Sequence, residues 1–452
     1  MGRRAAVAGV AAITVLVGAC ASTEPTATST TPATAGGGWD CGSDCSWESA
    51  ADDALVADGA PGAAGADEAG TAAARSAEAP STTTGPPAPV PPDEVERPVV
   101  TAGSIDDNAA WEDYLLYRQW FDALPSRPAV LDIRVEGRQI IAVVDGDGRP
   151  VPGAAVSVTD AGGAEVARLT TYADGRALFH APAGEVDPST QRRASYDVTV
   201  TPPSGAGGDA VTQALASETD EHTVVLDGSR AAVPVRLDIA FLLDATGSMS
   251  DEIERLKANM VSMATQIAEL PGDPDVRFAL TVYRDHGDLF VTRTFDFTGD
   301  VEAFSEALRD VEADGGGDRP EALEEGLHDV LTGAAWRGDD TRKLVFLVAD
   351  APPHVGGEGP AYADDLRAAA AEGVKIFPIA SSGLADDAQG EYVFRQLAQQ
   401  TMGRFVFLTY GADGVSPGDA TAHQVAPDAY STLPLDELVV QLVRDEVAAL
   451  DG

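Results

Sequence analysis

The chain has 452 residues, enough for two or three domains, and 73 Asp+Glu against 30 Lys+Arg give a net charge of −43. A field of that sign repels phosphate backbones and anionic headgroups, which argues against a nucleic-acid partner. Lys257, Lys343 and Lys375 are the only lysines, and arginine supplies the other cations.

In chain order, Arg3 and Arg4 precede a nearly continuous apolar run, Ala5 to Val17, that ends in Val17-Gly18-Ala19-Cys20. The run is short for a bilayer span, and small residues before a cysteine suit a processing site. The alternative is an uncleaved anchor helix. The ending resembles a bacterial lipobox. That resemblance implies a signal peptide over 1–19, a lipidated Cys20, and a protein exported and held by its lipid on the outer face of the cell membrane. Cys41 and Cys45 are the other two cysteines, and after export a local disulfide is the expected state. A thiolate metal site wants four ligands, and no further Cys or His is nearby. Residues 20–100 contain runs such as Gly85-Pro-Pro-Ala-Pro89 and few large apolar side chains. They cannot bury enough surface to offset chain entropy, so they read as a disordered, semi-extended tether.

Over 101–128, Asp106-Asp107-Asn108 offers a helix cap, and Ala109 to Leu124 reads as one unusually aromatic helix that packs against the following domain. Over 129–230 the signal changes to short, evenly spaced strands: 139–144, 155–159, 168–172, 174–179 and 195–201. That spacing predicts a β-sandwich. The stretch Val143-Val-Asp-Gly-Asp-Gly-Arg-Pro-Val-Pro-Gly153, with Tyr172-Ala-Asp-Gly-Arg176 later, resembles a carboxypeptidase regulatory-like domain. This implies a transthyretin-like or immunoglobulin-like sandwich without chemistry of its own. Its turn acids Asp145, Asp147, Asp160 and Asp174 are either plain turn residues or calcium ligands.

From 233 to 452 apolar strands alternate with helices. The strands are 237–243, 276–283, 344–348, 374–379 and 405–408, and the helices lie near 251–269, 300–312, 320–331, 360–372, 390–401 and 434–450. Fully apolar strands between helices predict a parallel sheet covered on both faces. The fold class is therefore multidomain: a β-sandwich followed by a doubly wound, Rossmann-like α/β domain. In such sheets ligands bind beyond the carboxyl ends of the strands, where the strand order reverses.

Three segments fall at those ends: Asp244-Ala-Thr246-Gly-Ser248, Gly315-Gly-Gly-Asp318-Arg-Pro-Glu-Ala322, and Ala349-Asp350-Ala-Pro-Pro-His354. Carboxylates and hydroxyls from tight loops can converge on one centre, and an oxygen-only set suits Mg²⁺, Mn²⁺ or Ca²⁺ rather than zinc. Leu242 to Met249 resembles the metal-ion-dependent adhesion site of von Willebrand factor type A domains. The resemblance puts Asp244, Thr246 and Ser248 on the Asp-x-Ser/Thr-x-Ser positions and Asp350 on the later loop aspartate. Gly315 to Ala322, with Tyr283-Arg-Asp-His-Gly-Asp288, is similar to the subgroup of hemicentins and alpha-kinase-associated domains. Many members place a threonine where this chain offers Asp318. Asp318 is then a third carboxylate ligand, or it caps a helix starting at Arg319-Pro320.

Other residues near that sheet edge are softer candidates for the rim of the site. Arg284 either pairs with a site carboxylate or forms a structural ion pair, Asp285 lies beside it, and His354 rims the site or packs its loop. His423 falls in a Gly/Pro/Ala-rich insertion, 411–429, with no companion ligand in sequence. No His-Glu-x-x-His, Gly-x-Ser-x-Gly or phosphate-binding Gly-Lys-Ser/Thr loop occurs, so protease, hydrolase and ATPase readings lack residues. The expectation is a non-enzymatic surface protein. It would bind a protein ligand through a metal-bridged acidic residue, in adhesion or envelope scaffolding, or alternatively assist an envelope enzyme or transporter.

Overall fold

The structure, a computed structural model, describes residues 99–182, 194–216, 219–228, 235–357 and 359–450. The expected signal peptide, Cys20, Cys41, Cys45 and the tether up to residue 98 lie outside the described residues. No helix among the described residues is long and apolar enough to cross a membrane.

The chain opens with β1 (Thr101–Ile105) and α1 (Trp111–Asp122). Seven short strands follow: β2 (Gln139–Asp145), β3 (Ala155–Asp160), β4 (Glu165–Thr170), β5 (Arg176–Phe179), β6 (Tyr196–Thr201), β7 (Val211–Leu215) and β8 (Glu221–Leu226). The remainder runs β9 (Arg236–Asp244), α2 (Ile253–Ala268), β10 (Asp275–Tyr283), β11 (Thr292–Thr298), α3 (Val301–Arg309), α4 (Leu323–Thr332) and β12 (Arg342–Ala349). It ends with α5 (Tyr362–Glu372), β13 (Val374–Ala380), α6 (Ala388–Gln400), β14 (Phe405–Thr409), β15 (Leu433–Pro434) and α7 (Leu435–Ala448).

One sheet has the order β11-β10-β9-β12-β13-β14-β1-β15. Its five inner strands, β10 to β14 in that order, are parallel. β11 adds antiparallel at one edge, and β1 and β15 add antiparallel at the other. Strands β9, β12 and β13 are buried along nearly their whole length, as all-apolar runs in a covered parallel sheet should be. Successive side chains alternate between two cores. Phe241 and Leu243 pack with Met260 and Met263 of α2, Phe304 of α3 and Val443 of α7. Ala240 and Leu242 face Leu327 of α4, Leu366 of α5 and Leu397 of α6. From β9 the chain steps one way to β10 and the other way to β12, so the strand order reverses beside the carboxyl end of β9.

β2 to β8 build two smaller sheets, β5-β2-β8 and β4-β3-β6-β7, over one shared apolar cluster that includes Ile141, Val143, Val156, Val198 and Val224. Strands β7 and β8 add to the series expected from sequence. The hairpin acids are engaged locally. Asp145 Oδ1 accepts from the Asp147 and Arg149 amides, both at 2.9 Å, and Asp160 Oδ1 accepts from Gly162 and Ala164 at 2.8 and 2.9 Å. This strand-rich part meets the main sheet at the amino ends of the parallel strands. Thr170 Oγ1 donates to the Ala371 carbonyl just past the middle of α5's last turn at 2.6 Å, and the Ser204 amide donates to Asp339 Oδ2 ahead of β12 at 2.8 Å.

Two features differ from the sequence reading. The chain does not pass from one domain to the next in series: it lays β1 into the main sheet, leaves to build β2 to β8, and returns at β9. The aromatic helix α1 also docks elsewhere than on the strands that follow it. Tyr117 and Phe121 stack on Tyr392 of α6 with ring centroids 5.9 and 3.9 Å apart.

Candidate metal centre

β9 ends in Asp244, whose fully buried carboxylate lies at the point where the strand order reverses. The chain then turns sharply, so the Thr246 amide and hydroxyl both reach back to Asp244 Oδ1, at 2.9 and 2.7 Å. The Thr246 hydroxyl is 3.2 Å from that of Ser248, which in turn donates to Asp350 Oδ1 at 2.9 Å. Asp350 follows directly on β12. A continuous chain of oxygens thus links the ends of two neighbouring parallel strands. Tyr283, at the end of β10, donates to the other Asp244 oxygen at 3.4 Å.

The middle loop closes over this chain through its glycines. The Gly247 amide donates to the Gly315 carbonyl at 3.1 Å, and Gly316 takes φ +70 with its α-carbon hard against the site. A Cβ on Gly316 would lie 2.8 Å from Glu321 Oε1 and 3.3 Å from Thr246 Cβ. Only glycine fits both the conformation and the space.

The acid this loop turns inward is Glu321 rather than Asp318. Glu321 is 2 % exposed, and its Oε2 has no hydrogen-bond partner. Asp318 is exposed and makes no hydrogen bond or ion pair among the described residues. It does not cap a helix either, because α4 begins at Leu323, after Ala322. The physical reason is backbone direction. Three successive glycines with positive φ carry Asp318 outward before the chain returns at Glu321, whose amide and carbonyl bond the loop after β12 at 3.0 and 3.3 Å. The Glu321 position in the quoted motif was visible in sequence, but nothing there distinguishes which acid points inward.

Electrostatics mark the same spot. Burial, and after it the Asp350 carboxylate, push Asp244 up to about 7. Burial followed by Asp244, Asp285 and Asp350 pushes Glu321 up to about 8. Burial also raises Asp350, against the Ser248 hydrogen bond and nearby Arg319. The Arg319 guanidinium does not neutralise the cluster, since it donates to the Asp350 and Gly383 carbonyls and to Asp387. Buried carboxylates with two hydroxyls, an unpartnered Glu321 oxygen and no bonded cationic side chain fit a hard divalent cation held by oxygens.

The softer candidates separate. Arg284 is structural: it donates to the Glu312 carbonyl at 2.8 Å and to Asp314 at 3.4 Å, and lies over the Phe290 ring. Asp285 is buried and meets His354 at 2.7 Å, so these two do come together beside the site. His423 is a core residue, 3.2 Å from Glu391 Oε2 and packed against Phe405 and Phe407.

Residues 238–410 match the von Willebrand factor type A domain family. An alpha-protein kinase from Dictyostelium discoideum is 32% identical over 142 residues, which is 31% of this chain and 22% of that protein. A putative ariadne-like RING finger protein from Acanthamoeba polyphaga mimivirus is 28% identical over 120 residues, 26% of this chain and 11% of that protein. The matched stretch is thus less than a quarter of either relative. Among solved structures, the pilus adhesin SpaC from Lactobacillus rhamnosus GG aligns at 14% identity and a TM-score of 0.33, covering 57% of this chain and 32% of its own. The segment that matches the family carries Asp244 and Asp350, and over residues 238–410 the chain has a von Willebrand factor type A domain.

Proposed function

We propose that this chain is a non-enzymatic binding protein whose type A domain engages a protein partner through a divalent cation, Mg²⁺ or in its place Mn²⁺ or Ca²⁺. Asp244, Thr246, Ser248 and Asp350 would hold the ion, with Glu321 in the role that sequence gave to Asp318. The observation that carries this reading is the unbroken oxygen chain from Asp244 through Thr246 and Ser248 to Asp350. A bound cation would supply positive charge that an incoming Asp or Glu of a partner can share. The protein groups set how strongly. With Asp244, Asp350 and Glu321 all ionised, a divalent ion leaves the centre with one net negative charge, so the pull on a partner's carboxylate is weak and contacts around the rim must contribute.

The remaining parts suit display at a surface. The lipobox-like ending at Cys20 and the Pro-rich segment after it support an exported, lipid-anchored protein in adhesion or envelope scaffolding. The two sheets of β2 to β8 support a carboxypeptidase regulatory-like sandwich in a structural role. Titration calorimetry of the metal-stripped full chain with Mg²⁺ and Mn²⁺ tests the centre. One site is expected in the unaltered protein and none in Asp244→Ala. Unchanged affinity in that variant would sink the reading.

A further inference from the structure

Beside the oxygen-only centre lies a second cluster of different chemistry. The chain just past β10 supplies Asp285 and His286, the first turn of α4 supplies Glu325, and the loop after β12 supplies His354. His354 Nε2 is 2.7 Å from Asp285 Oδ1, and His286 Nε2 is 2.7 Å from Glu325 Oε1. His286 Nδ1 lies 3.9 Å from the same Asp285 oxygen. The two imidazoles stand side by side, 5.1 Å between centroids. One donor atom each from Asp285, His286 and His354 falls within 4.8 Å of the others.

We infer that Asp285, His286 and His354 form a binding site for a borderline divalent metal of the Zn²⁺ class, with Glu325 holding the other nitrogen of His286. Two imidazole nitrogens and a carboxylate oxygen, with the fourth position open, are a donor set such an ion accepts, whereas the all-oxygen centre at Asp244 suits harder cations. Two independent histidine–carboxylate pairs would need no common centre. Here both histidines share Asp285 as neighbour, and Glu325 orients the His286 ring from its far nitrogen. Donors on a tetrahedral ion bound at about 2.0–2.2 Å stand about 3.4 Å apart, between the 2.7 and 3.9 Å of the present pairs to Asp285, so the ion enters by displacing the shared hydrogen with a small shift of the two rings. The half-exposed His286 ring gives it a way in from solvent, and buried Asp285 fixes the inner side. The site does not depend on the metal at Asp244, although the Glu321 carbonyl, which accepts from the His354 amide at 3.3 Å, ties the two loops together.

Co²⁺ serves as the probe, because nitrogen ligation in a low-coordinate site gives visible absorption that Mg²⁺ does not. The metal-stripped full chain should develop this absorption at one equivalent of Co²⁺. Zn²⁺ should abolish it, and a large excess of Mg²⁺ should leave it. His354→Ala and His286→Ala, each checked for an unchanged melting temperature, should weaken Co²⁺ and Zn²⁺ binding by at least about tenfold. Asp244→Ala should retain the spectrum while losing Mg²⁺. Absorption that persists in both histidine variants, or that vanishes in Asp244→Ala or under Mg²⁺, would overturn the second site. Failure of Mg²⁺ binding alone would instead count against the centre at Asp244.

Discussion

Asp107 and Arg395, 288 positions apart, meet as a buried two-bonded pair, with Arg395 Nε donating to Asp107 Oδ2 at 3.0 Å and Nη2 to Oδ1 at 2.5 Å. The two side chains are 1% and 2% exposed. The same guanidinium lies 3.7 Å from the Tyr117 ring centroid and donates to the Gln424 carbonyl at 3.3 Å. One side chain of α6 therefore fastens the segment before α1, the helix α1 itself and the 411–429 stretch. Asp107→Ala removes the two-bonded partner of a buried cation and leaves it only Glu391 at 3.6 Å, so it should cost up to about 3–5 kcal/mol of stability. Urea denaturation would reveal the loss as a lower midpoint. An Asp107→Leu, Arg395→Met double variant should recover only part of it, since the buried Glu391 then loses the same guanidinium.

The contrast between Glu321 and Asp318 gives a second test. Glu321→Gln keeps the shape and removes a buried negative charge, so Mg²⁺ affinity should fall by at least about tenfold. Asp318→Asn changes an exposed acid with no partner and should leave affinity and melting temperature where they were. Calorimetry on both variants decides between them. Equal losses would mean that the loop closes on the ion with Asp318 as well.

Metal-free protein should respond to pH in a direction opposite to ordinary acid denaturation. Burial raises Asp244, Glu324 and Glu321 to about 7, 7 and 8, against ordinary values of 3.8 and 4.5. Between roughly pH 5 and 8 the folded state thus holds protons that the unfolded chain has released. Groups shifted upward stabilise at low pH, and that contribution is lost as pH rises through the folded values. In EDTA the melting temperature should therefore drop from pH 6.5 to pH 8.5, at about 1.4 kcal/mol per pH unit for each proton released. Saturating Mg²⁺ replaces the protons at Asp244 and Glu321 and should flatten the slope. Calorimetric scans at the two pH values, with and without metal, read both effects.

Truncation tests the entry strand. Val100 and Ala102 are buried in the core beneath α2 and α7, and β1 pairs from Thr101↔Thr409 to Ile105↔Phe405. A chain beginning at Pro89 should melt like the full protein. One beginning at Ser104 loses most of the strand and at least one buried valine, worth about 1.5–3 kcal/mol, and should melt at least about 3 °C lower. Coincident melting curves would show β1 to be dispensable.

The parallel strands were legible in sequence because each is a short, mostly apolar run between helical stretches, as a sheet covered on both faces requires. The convergence of Asp244, Thr246, Ser248 and Asp350 was legible because strand-end position and motif agree. β1 was not, since Thr-Ala-Gly-Ser-Ile has little apolar signal and its partner strand lies some three hundred residues away. β11 was missed because its exposed edge position leaves its residues only half-buried. The exchange of Asp318 for Glu321 depends on how three glycines steer the backbone, and the docking of α1 on α6 depends on tertiary pairing. Neither leaves a local pattern to read.

The place of β1 also fixes a timetable for folding. A chain emerging amino-end first can close β2 to β8 once residue 226 is out, and can pair β9 with β10 and then β12 as each helix follows. Residues 101–105 must wait, unpaired, until 405–409 appear. The entropy of closing so long a loop is only about 2 kcal/mol more than for one tenfold shorter, and an already folded insert shortens it further. The delay is therefore one of sequence of events rather than of energy. Until the final stretch is made, β13 offers a bare edge to any neighbouring chain. Chains arrested at residue 400 should leave the 99–110 segment open to protease, and release of the last fifty residues, which supply both β14 and β15 to flank β1, should close it.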